Sequence, residues 1–256
     1  MKHKYKFLQE KLIKTLLLDI ETSPSTAYVW SLFKENIPLA RLIDSSEVLC
    51  WSAKWLDEDY IMFDSINQNS PQDMLLGIHT LLDEAAVVIH FNGSQFDIPT
   101  LNKEFLIYGM LPPAPYKQVD LLKTARNQFR FVSNKLDYIA QKLGLGQKKE
   151  TTFQLWVDCM NYIPEAWVVM EEYNKHDVVL LEKLYERFKP WIKPHPNYTL
   201  YTEDNNVMCP VCGSYAWHKR GFAYTAVGKY QRYNCTKCGA WFKDRKNLTY
   251  KQTLLV

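Results

Sequence analysis

Acidic residues occur where the sequence predicts the ends of strands and one face of a helix. Asp19 and Glu21 lie two apart at the end of an apolar strand, so both side chains leave the same face of that strand. Asp97 follows a second apolar strand and a loop of small residues, while Tyr173 and Asp177 are four apart on one helix face. Several carboxylates in one cleft repel each other unless divalent cations neutralise them, and oxygen ligands around two cations suit phosphoryl hydrolysis.

Each of these signals has a simpler interpretation when it is taken alone. The acid pair could be a solvated strand edge or the cap of the turn at 22–24, and Asp97 could cap the helix that follows it. A tyrosine and an aspartate at helical spacing occur in many amphipathic helices. Their combination is more informative, because the ends of the strands in an α/β sheet are where such sheets hold their sites.

Four of the six cysteines form two close pairs near the C-terminus. The stretches 209–213 and 235–239 each contain two cysteines separated by two residues and followed by a glycine. This spacing predicts two zinc knuckles that supply four thiolates to one closed structural site, whereas two chance pairs of free thiols are the alternative. The predicted zinc ligands are Cys209, Cys212, Cys235 and Cys238.

The elements that must position these residues alternate along the chain. Apolar runs at 15–20 and 85–91 predict strands that are buried on both faces, and the stretch 48–66 predicts an antiparallel hairpin. A short strand is predicted to end at 119–120. Helices are predicted at about 71–82, 98–108, 121–128, 136–143 and 164–188. This order predicts an α/β fold with a mixed sheet flanked by helices.

The formal charge of +3 hides an uneven distribution along the 256 residues. Residues 190–256 carry ten Lys and Arg against three Asp and Glu, whereas the residues before them are net acidic. Pro190, Pro194 and Pro196 predict a stiff linker between the two parts. We therefore expect an α/β domain over 1–189, a Pro-rich linker over 190–204 and a zinc ribbon over 205–256. The sequence shows neither an apolar run long enough to cross a membrane nor an export signal, so a cytoplasmic location is expected.

Three segments carry a resemblance to a known family. The stretch Asp19-Ile20-Glu21-Thr22 resembles the first motif of the DnaQ-like (DEDD) superfamily of 3′–5′ exonucleases, which have an RNase H-like fold. Residues 92–97 resemble the second motif and residues 173–177 the third, and the resemblance spans about 14–188. Tyr173 stands four residues before Asp177, where the tyrosine (DEDDy) branch has its tyrosine. The histidine branch has its base five residues before the aspartate, and Glu172 stands there instead.

The resemblance implies roles for the acids and the tyrosine. Asp19 would bridge two divalent cations, either Mg²⁺ or Mn²⁺, and Glu21 and Asp177 would complete the site of the cation that activates water. Asp97 would hold the second cation, and Tyr173 would orient the attacking water as a hydrogen-bonding partner. Asn92 and Phe96 could equally be a loop-capping residue and a core residue. The candidate substrate contacts are Thr22, Asn92, Phe96, Lys135 and Arg232.

The predicted zinc ribbon is rich in both cations and aromatic side chains. Interleaved Lys, Arg, Tyr, Trp and Phe residues over 215–246 combine phosphate attraction with base stacking, which favours binding of nucleic acid. In the alternative interpretation the aromatic residues form the ribbon's core, the charges keep it soluble, or the ribbon docks on a protein.

Taken with these features, the family resemblance implies a metal-dependent 3′–5′ exonuclease that releases nucleoside 5′-monophosphates from single-stranded or frayed DNA. It would act in DNA replication or repair, alone or beside a polymerase or another replication protein. Two other interpretations stay open. One is an exoribonuclease with the same site, and the other is a non-catalytic adaptor that binds nucleic acid or a replication protein.

Overall fold

The computed structural model describes residues 13–56, 58–203 and 206–249. The described chain divides into two compact units: the first is Lys14–Glu186, and the second contains the residues from Arg187 onward. Within the described ranges, every helix is too short or too polar to span a lipid bilayer.

The first unit is built on a five-stranded mixed sheet. Its strands are β1 (Thr15–Thr22), β4 (Val48–Trp55), β5 (Met62–Ser65), β6 (Val87–His90) and β7 (Lys117–Asp120), in the order β5-β4-β1-β6-β7. β4 is antiparallel to both β1 and β5, whereas β6 is parallel to β1 and β7. The predicted mixed sheet and the predicted hairpin are therefore confirmed.

Six helices flank this sheet or follow it. They are α1 (Pro71–Glu84), α2 (Asp97–Ile107), α3 (Leu121–Gln128), α4 (Leu136–Lys142), α5 (Gln154–Met160) and α6 (Pro164–Phe188). α1 begins as its sequence predicts, because Ser70 caps it by accepting from the Asp73 backbone NH and Pro71 occupies its first turn. α5 was not predicted: like α4 it has only seven residues and no capping side chain, but unlike α4 it is not followed by a glycine that marks its end.

The central strand β1 separates the core from the acids. Leu16, Leu18 and Ile20 are buried on one face, in the cluster that contains side chains of α1 and α2. Alternation along the strand places Asp19 and Glu21 on the opposite face. On that side a second apolar cluster joins Cys50 of β4 to Tyr173 of α6. The strand therefore presents both carboxylates toward α6 rather than toward solvent.

A small arm leaves the sheet immediately after the acid pair. It contains strands β2 (Thr26–Ala27) and β3 (Leu42–Asp44), which pair with each other. The root of the arm is held by bonds between Ser23 and Glu47, in which the Ser23 backbone NH donates to the Glu47 carbonyl and the Glu47 NH donates to Ser23 Oγ. The sequence patterns predicted no element here, because each strand is only two or three residues long.

The second unit contains a three-stranded antiparallel sheet with β9 at its centre. Its strands are β8 (Trp217–Thr225), β9 (Gly228–Cys235) and β10 (Trp241–Asn247). Buried Tyr233 packs edge-on against Trp217 and stacks on Phe242. Ahead of this sheet in the same unit, Tyr198 is buried, and its backbone NH donates to the Pro210 carbonyl.

Candidate active site

Three carboxylates predicted from different parts of the chain converge in the first unit. Oxygen atoms of Asp19, Glu21 and Asp177 all lie within 4.8 Å of one another. β1 supplies the first two acids from a single face, and α6 supplies the third. Carboxylates in this arrangement could hold a divalent metal ion, since hard cations prefer clustered oxygen ligands.

Asp97 is turned toward this cluster and does not cap its helix. Its Oδ1 accepts from the backbone NH of Ile20 at 3.3 Å, and its side chain is almost completely buried. The residue at the N-cap of α2 is Phe96, which makes no side-chain capping bond. The structure therefore brings the fourth predicted acid beside β1, next to the acid pair.

Burial raises the pKa values of these four acids in the absence of a cation. Burial raises the pKa of Asp19 well above its ordinary value, and three neighbouring carboxylates raise it further. Burial also raises the pKa of Glu21 to about 7 and that of Asp97 to about 7. The pKa of Asp177 is raised by burial despite the opposing effect of Lys148. A bound divalent cation would remove this cost by neutralising the carboxylates.

Two neutral side chains orient the acid pair. Asn174 Nδ2 donates to Asp19 Oδ2 at 2.7 Å, and Trp156 Nε1 donates to Glu21 Oε2 at 3.2 Å. Sequence analysis assigned no role to either residue. Asn174 lies between Tyr173 and Asp177 in the third motif, and this position could have identified it as a candidate site residue. Trp156 lies on the unpredicted helix α5, and no local pattern points to it.

Two buried oxygen atoms near the cluster have no hydrogen-bond partner among the described residues. They are Asp177 Oδ1 and the side-chain oxygen of Asn174, both on α6. A buried carboxylate oxygen without a partner is costly, and a metal ion can satisfy it. The donor set and this unpartnered oxygen therefore fit a hard divalent cation.

Lys148 is a further member of the site that sequence analysis missed. Its ammonium donates to Asp177 Oδ2 and, at 3.2 Å, to the hydroxyl of Tyr173. Burial lowers the pKa of this lysine, but the carboxylates of Asp177 and Asp19 outweigh that effect and raise the pKa above its ordinary value. The residue lies in the loop between α4 and α5, where no periodicity or motif marks it.

Tyr173 remains a protonated phenol at any ordinary pH. Burial, followed by the charge of Asp177, raises the pKa of Tyr173 to about 12. The ring packs edge-on against Trp156 with their centroids 5.8 Å apart, so its orientation is held by α5. A phenol in this state can hold and orient a water molecule by hydrogen bonding, but it is a poor general base.

The loop that precedes Asp97 is anchored by hydrogen bonds to the buried side chain of Asp120. Asp120 caps α3 by accepting from Leu122 N, and it also accepts from the backbone NH of Asn92 and from Ser94 Oγ. A Cβ on Gly93 would lie 2.5 Å from the ring of buried His90, so this position requires glycine. Asp120 therefore acts as a helix cap and a loop anchor.

The candidate substrate contacts are placed in different surroundings. Thr22 is half-buried at the end of β1, directly after the acid pair. Asn92 has a φ of 71°, and its backbone NH donates to Asp120 Oδ1. Phe96 is 44% exposed and is therefore not a core residue. Lys135 is exposed just before α4, whereas Arg232 belongs to the second unit.

The raised carboxyl pKa values predict that the metal-free first unit loses stability as the pH rises. For Glu21 and Asp97 the folded-state pKa lies above the unfolded value, so the folded state binds more protons between about pH 4 and about pH 7. The unfolding free energy should fall across that window and level off above it. Thermal unfolding at a series of pH values without divalent cations checks this result. Glu21→Gln should flatten the curve, and an equally steep curve in this variant would contradict the explanation.

The four cysteines of the second unit also converge. Their sulfur atoms lie within 4.8 Å of one another, with Cys209 and Cys238 separated by 3.7 Å. Both pairs form the same tight turn, in which the glycine NH donates to the carbonyl of the first cysteine and the glycine has a positive φ: 68° at Gly213 and 78° at Gly239. This confirms the predicted knuckle geometry, and four thiol sulfurs in such a cluster suit a tetrahedral metal site.

The first unit matches a known protein family. A model of the RNase_H_2 family of the RNase H superfamily matches residues 43–189, which is more than half of the chain. The chain therefore belongs to this family, and the predicted RNase H-like fold is confirmed. Its fold and its carboxylate cluster support a nuclease-type function.

A solved structure gives the same fold. The chain is similar to the family B DNA polymerase from the hyperthermophilic archaeon Pyrobaculum calidifontis, with a TM-score of 0.50 and 17% sequence identity. The similarity covers 70% of this chain and 25% of the polymerase chain, so this protein spans about a quarter of the length of that relative. No curated protein sequence matches the chain.

Proposed function

We propose that the protein is a metal-dependent 3′–5′ exonuclease of the tyrosine DEDD branch that shortens single-stranded or frayed DNA. The observation that carries this proposal is the convergence of Asp19, Glu21 and Asp177, with Asp97 beside them, next to a protonated Tyr173. The RNase H superfamily membership supports the same class of reaction. The product would be nucleoside 5′-monophosphates.

The four acids would hold two cations, either Mg²⁺ or Mn²⁺. Asp19 would contact both cations, Glu21 and Asp177 would complete one site, and Asp97 would contribute to the other. Two bound cations activate water and stabilise the leaving oxygen of a phosphodiester. Asn174 and Trp156 would hold the carboxylates of Asp19 and Glu21 in place through their existing hydrogen bonds. Tyr173 would orient the attacking water from its hydroxyl.

The second unit would be a zinc ribbon that helps to hold the substrate. Its cysteine cluster suits one structural zinc, and its excess of cations suits a polyanion. In this proposal residues 1–189 form the exonuclease domain, 190–204 the Pro-rich linker and 205–256 the ribbon. The enzyme would act alone or beside a polymerase or another replication protein.

The direct test uses the purified chain with Mg²⁺ or Mn²⁺ and a single-stranded DNA labelled at its 5′ end. The expected result is a ladder of products shortened stepwise from the 3′ end, together with free nucleoside 5′-monophosphates. A 3′-labelled strand should release its label first. Matched RNA should be degraded more slowly, and preferential degradation of RNA would instead identify an exoribonuclease. Release that does not depend on the divalent cation, or no release, would refute the proposal.

The position of Lys148 predicts that it competes with the metal for Asp177. Its half-buried ammonium pairs with the Asp177 carboxylate that a cation would use, and a lysine and a metal ion that share one carboxylate repel each other strongly. Lys148→Met should therefore lower the half-saturating Mn²⁺ concentration for cleavage by roughly tenfold, or about 1.4 kcal/mol. Lys149→Met is the matched control, since Lys149 pairs with exposed Glu172 and should leave this concentration unchanged. A higher Mn²⁺ requirement in Lys148→Met would contradict the prediction.

A further inference from the structure

The sheet of the second unit has two faces that differ in burial around Tyr233, whereas both faces carry cations beside aromatic rings. In an antiparallel sheet, directly opposed residues share a face and successive residues alternate. Tyr233 is opposed by Phe242 on β10 and by Lys219 on β8, which defines the packed face. Arg232 is opposed by Lys243, and Asn234 by Trp241 on β10. We call this second face, with His218, Tyr230, Arg232, Asn234, Trp241 and Lys243, the outer face.

Cations and aromatic rings are paired across the outer face. The guanidinium of Arg232 lies 4.9 Å from the centre of the Trp241 ring, and the ammonium of Lys243 lies 4.2 Å from that of Tyr230. Arg232 is also held from the side, because its Nε donates to the Arg220 carbonyl at 2.9 Å. The four other N–H groups of this guanidinium remain available to an anion. Trp241 is 57% exposed although it is the largest side chain on this face.

The charge of the outer face is positive without compensation. Among residues 206–249 the sequence contains eight Lys and Arg but a single acid, Asp244. Asp244 accepts from the hydroxyl of Tyr233, so it belongs to the packed face. The outer face thus combines ordered cations with an exposed aromatic ring, and its charge is complementary to a polyanion.

We propose that the outer face is a stacking platform for single-stranded DNA. A base would stack on Trp241, while Arg232 and Lys243 would contact phosphates on either side of it. Exposed base faces occur in single strands but not within a duplex, so a platform of this kind selects the single strand. The assignment of the bound nucleic acid as DNA rests on the proposed function, but the choice of the outer face rests only on the geometry of the sheet.

The test measures binding in the full chain, loaded with zinc and carrying Asp19→Asn to prevent cleavage. The probe is a fluorescein-labelled oligo-dT followed by anisotropy. Trp241→Ala should weaken binding by roughly 5- to 100-fold, whereas Trp241→Tyr should retain most of the affinity. Lys243→Gln should lower the slope of log affinity against log salt by about 0.7, the effect of one lost phosphate contact on a single strand.

A matched control lies on the same face as Tyr233, at the end of the sheet where that face is exposed and Tyr224 is opposed by Lys229. Tyr224 is 72% exposed and has Lys229 as its cationic neighbour, 6.0 Å from the ring. Tyr224→Ala should leave affinity within about twofold of the parent. An unlabelled blunt duplex should compete poorly with oligo-dT for the parent chain. Equal losses in Trp241→Ala and Tyr224→Ala, or an unchanged salt slope in Lys243→Gln, would overturn the proposal and favour a protein partner for this face.

The exonuclease proposal and the stacking-platform proposal can each be refuted without the other. If the chain with native Asp19 shows no metal-dependent cleavage but Trp241→Ala still weakens oligo-dT binding, the exonuclease proposal fails and the platform stands. If cleavage is found and the outer-face variants bind oligo-dT like the parent, the platform proposal fails alone. The zinc content of Trp241→Ala, expected to equal that of the parent, shows that the sheet is intact.

Discussion

Cys235→Ser is expected to unfold the three-stranded sheet of the second unit. Cys235 ends β9 and belongs to the four-sulfur cluster, and the buried residues around this cluster are few. A core of that size cannot offset the conformational entropy of folding without a metal. Structural zinc in small modules supplies about 10–16 kcal/mol of apparent binding free energy, which is lost when one ligand is removed.

The measurements for Cys235→Ser are bound zinc per chain and the protection of the second unit from proteolysis. Zinc should fall from one ion per chain to almost none, and the region after Arg187 should become sensitive to protease while the first unit stays resistant. The matched control is Cys159→Ala, which removes a lone buried thiol of the first unit and should keep the zinc. Retention of both zinc and protection in Cys235→Ser would show that the cluster is not a zinc site.

Asp19→Asn is expected to lower cleavage by at least about three orders of magnitude, or about 4 kcal/mol of transition-state stabilisation. Asp19 belongs to the carboxylate cluster, and its ionisation is opposed first by burial and then by Asp177, Asp97 and Glu21. Replacing it with an amide removes the negative charge that both cations would share. The bond from Asn174 Nδ2 can persist, because the new side chain still offers an oxygen at that position.

The same substitution should make the metal-free protein more stable. It removes the repulsion between Asp19 and three neighbouring carboxylates, so we expect the unfolding free energy above pH 7 to rise by about 1–2 kcal/mol. Loss of cleavage with a gain in stability separates a catalytic defect from unfolding. Glu172→Gln is the control: this exposed acid stands where the histidine branch has its base, and its loss should change the cleavage rate by about twofold at most. A large rate loss in Glu172→Gln would contradict the assignment of Tyr173.

Much of the fold follows from local patterns. The period of two in β1 determines that Asp19 and Glu21 share a face, and the period of 3.6 in α6 does the same for Tyr173 and Asp177. The two CxxC turns with their following glycines form the knuckles wherever the chain places them, because the turn geometry is local. The family match confirms the RNase H-like fold that the three motifs implied.

Other features depend on contacts between distant parts of the chain. Lys148 lies in a loop after α4 and reaches Asp177 only because α6 packs beside that loop. Trp156 contacts Glu21 from a helix of seven residues that has neither a capping side chain nor a following glycine to mark it in the sequence. Asp97 looks like an ordinary helix cap in sequence, and only the position of β1 turns its carboxylate toward the cluster.

The candidate site residues follow from local patterns in the sequence: four acids, a tyrosine, four cysteines and a basic, aromatic C-terminal part. The surroundings of these residues depend on the tertiary structure. The tertiary structure buries the acids together, which raises their pKa values. It also places the ammonium of Lys148 beside the carboxylate of Asp177. It also divided the cations and rings of β8, β9 and β10 between a packed face and an outer face. The physical reason is that charge repulsion, burial and strand register depend on distances between residues far apart in the chain, which local spacing does not encode.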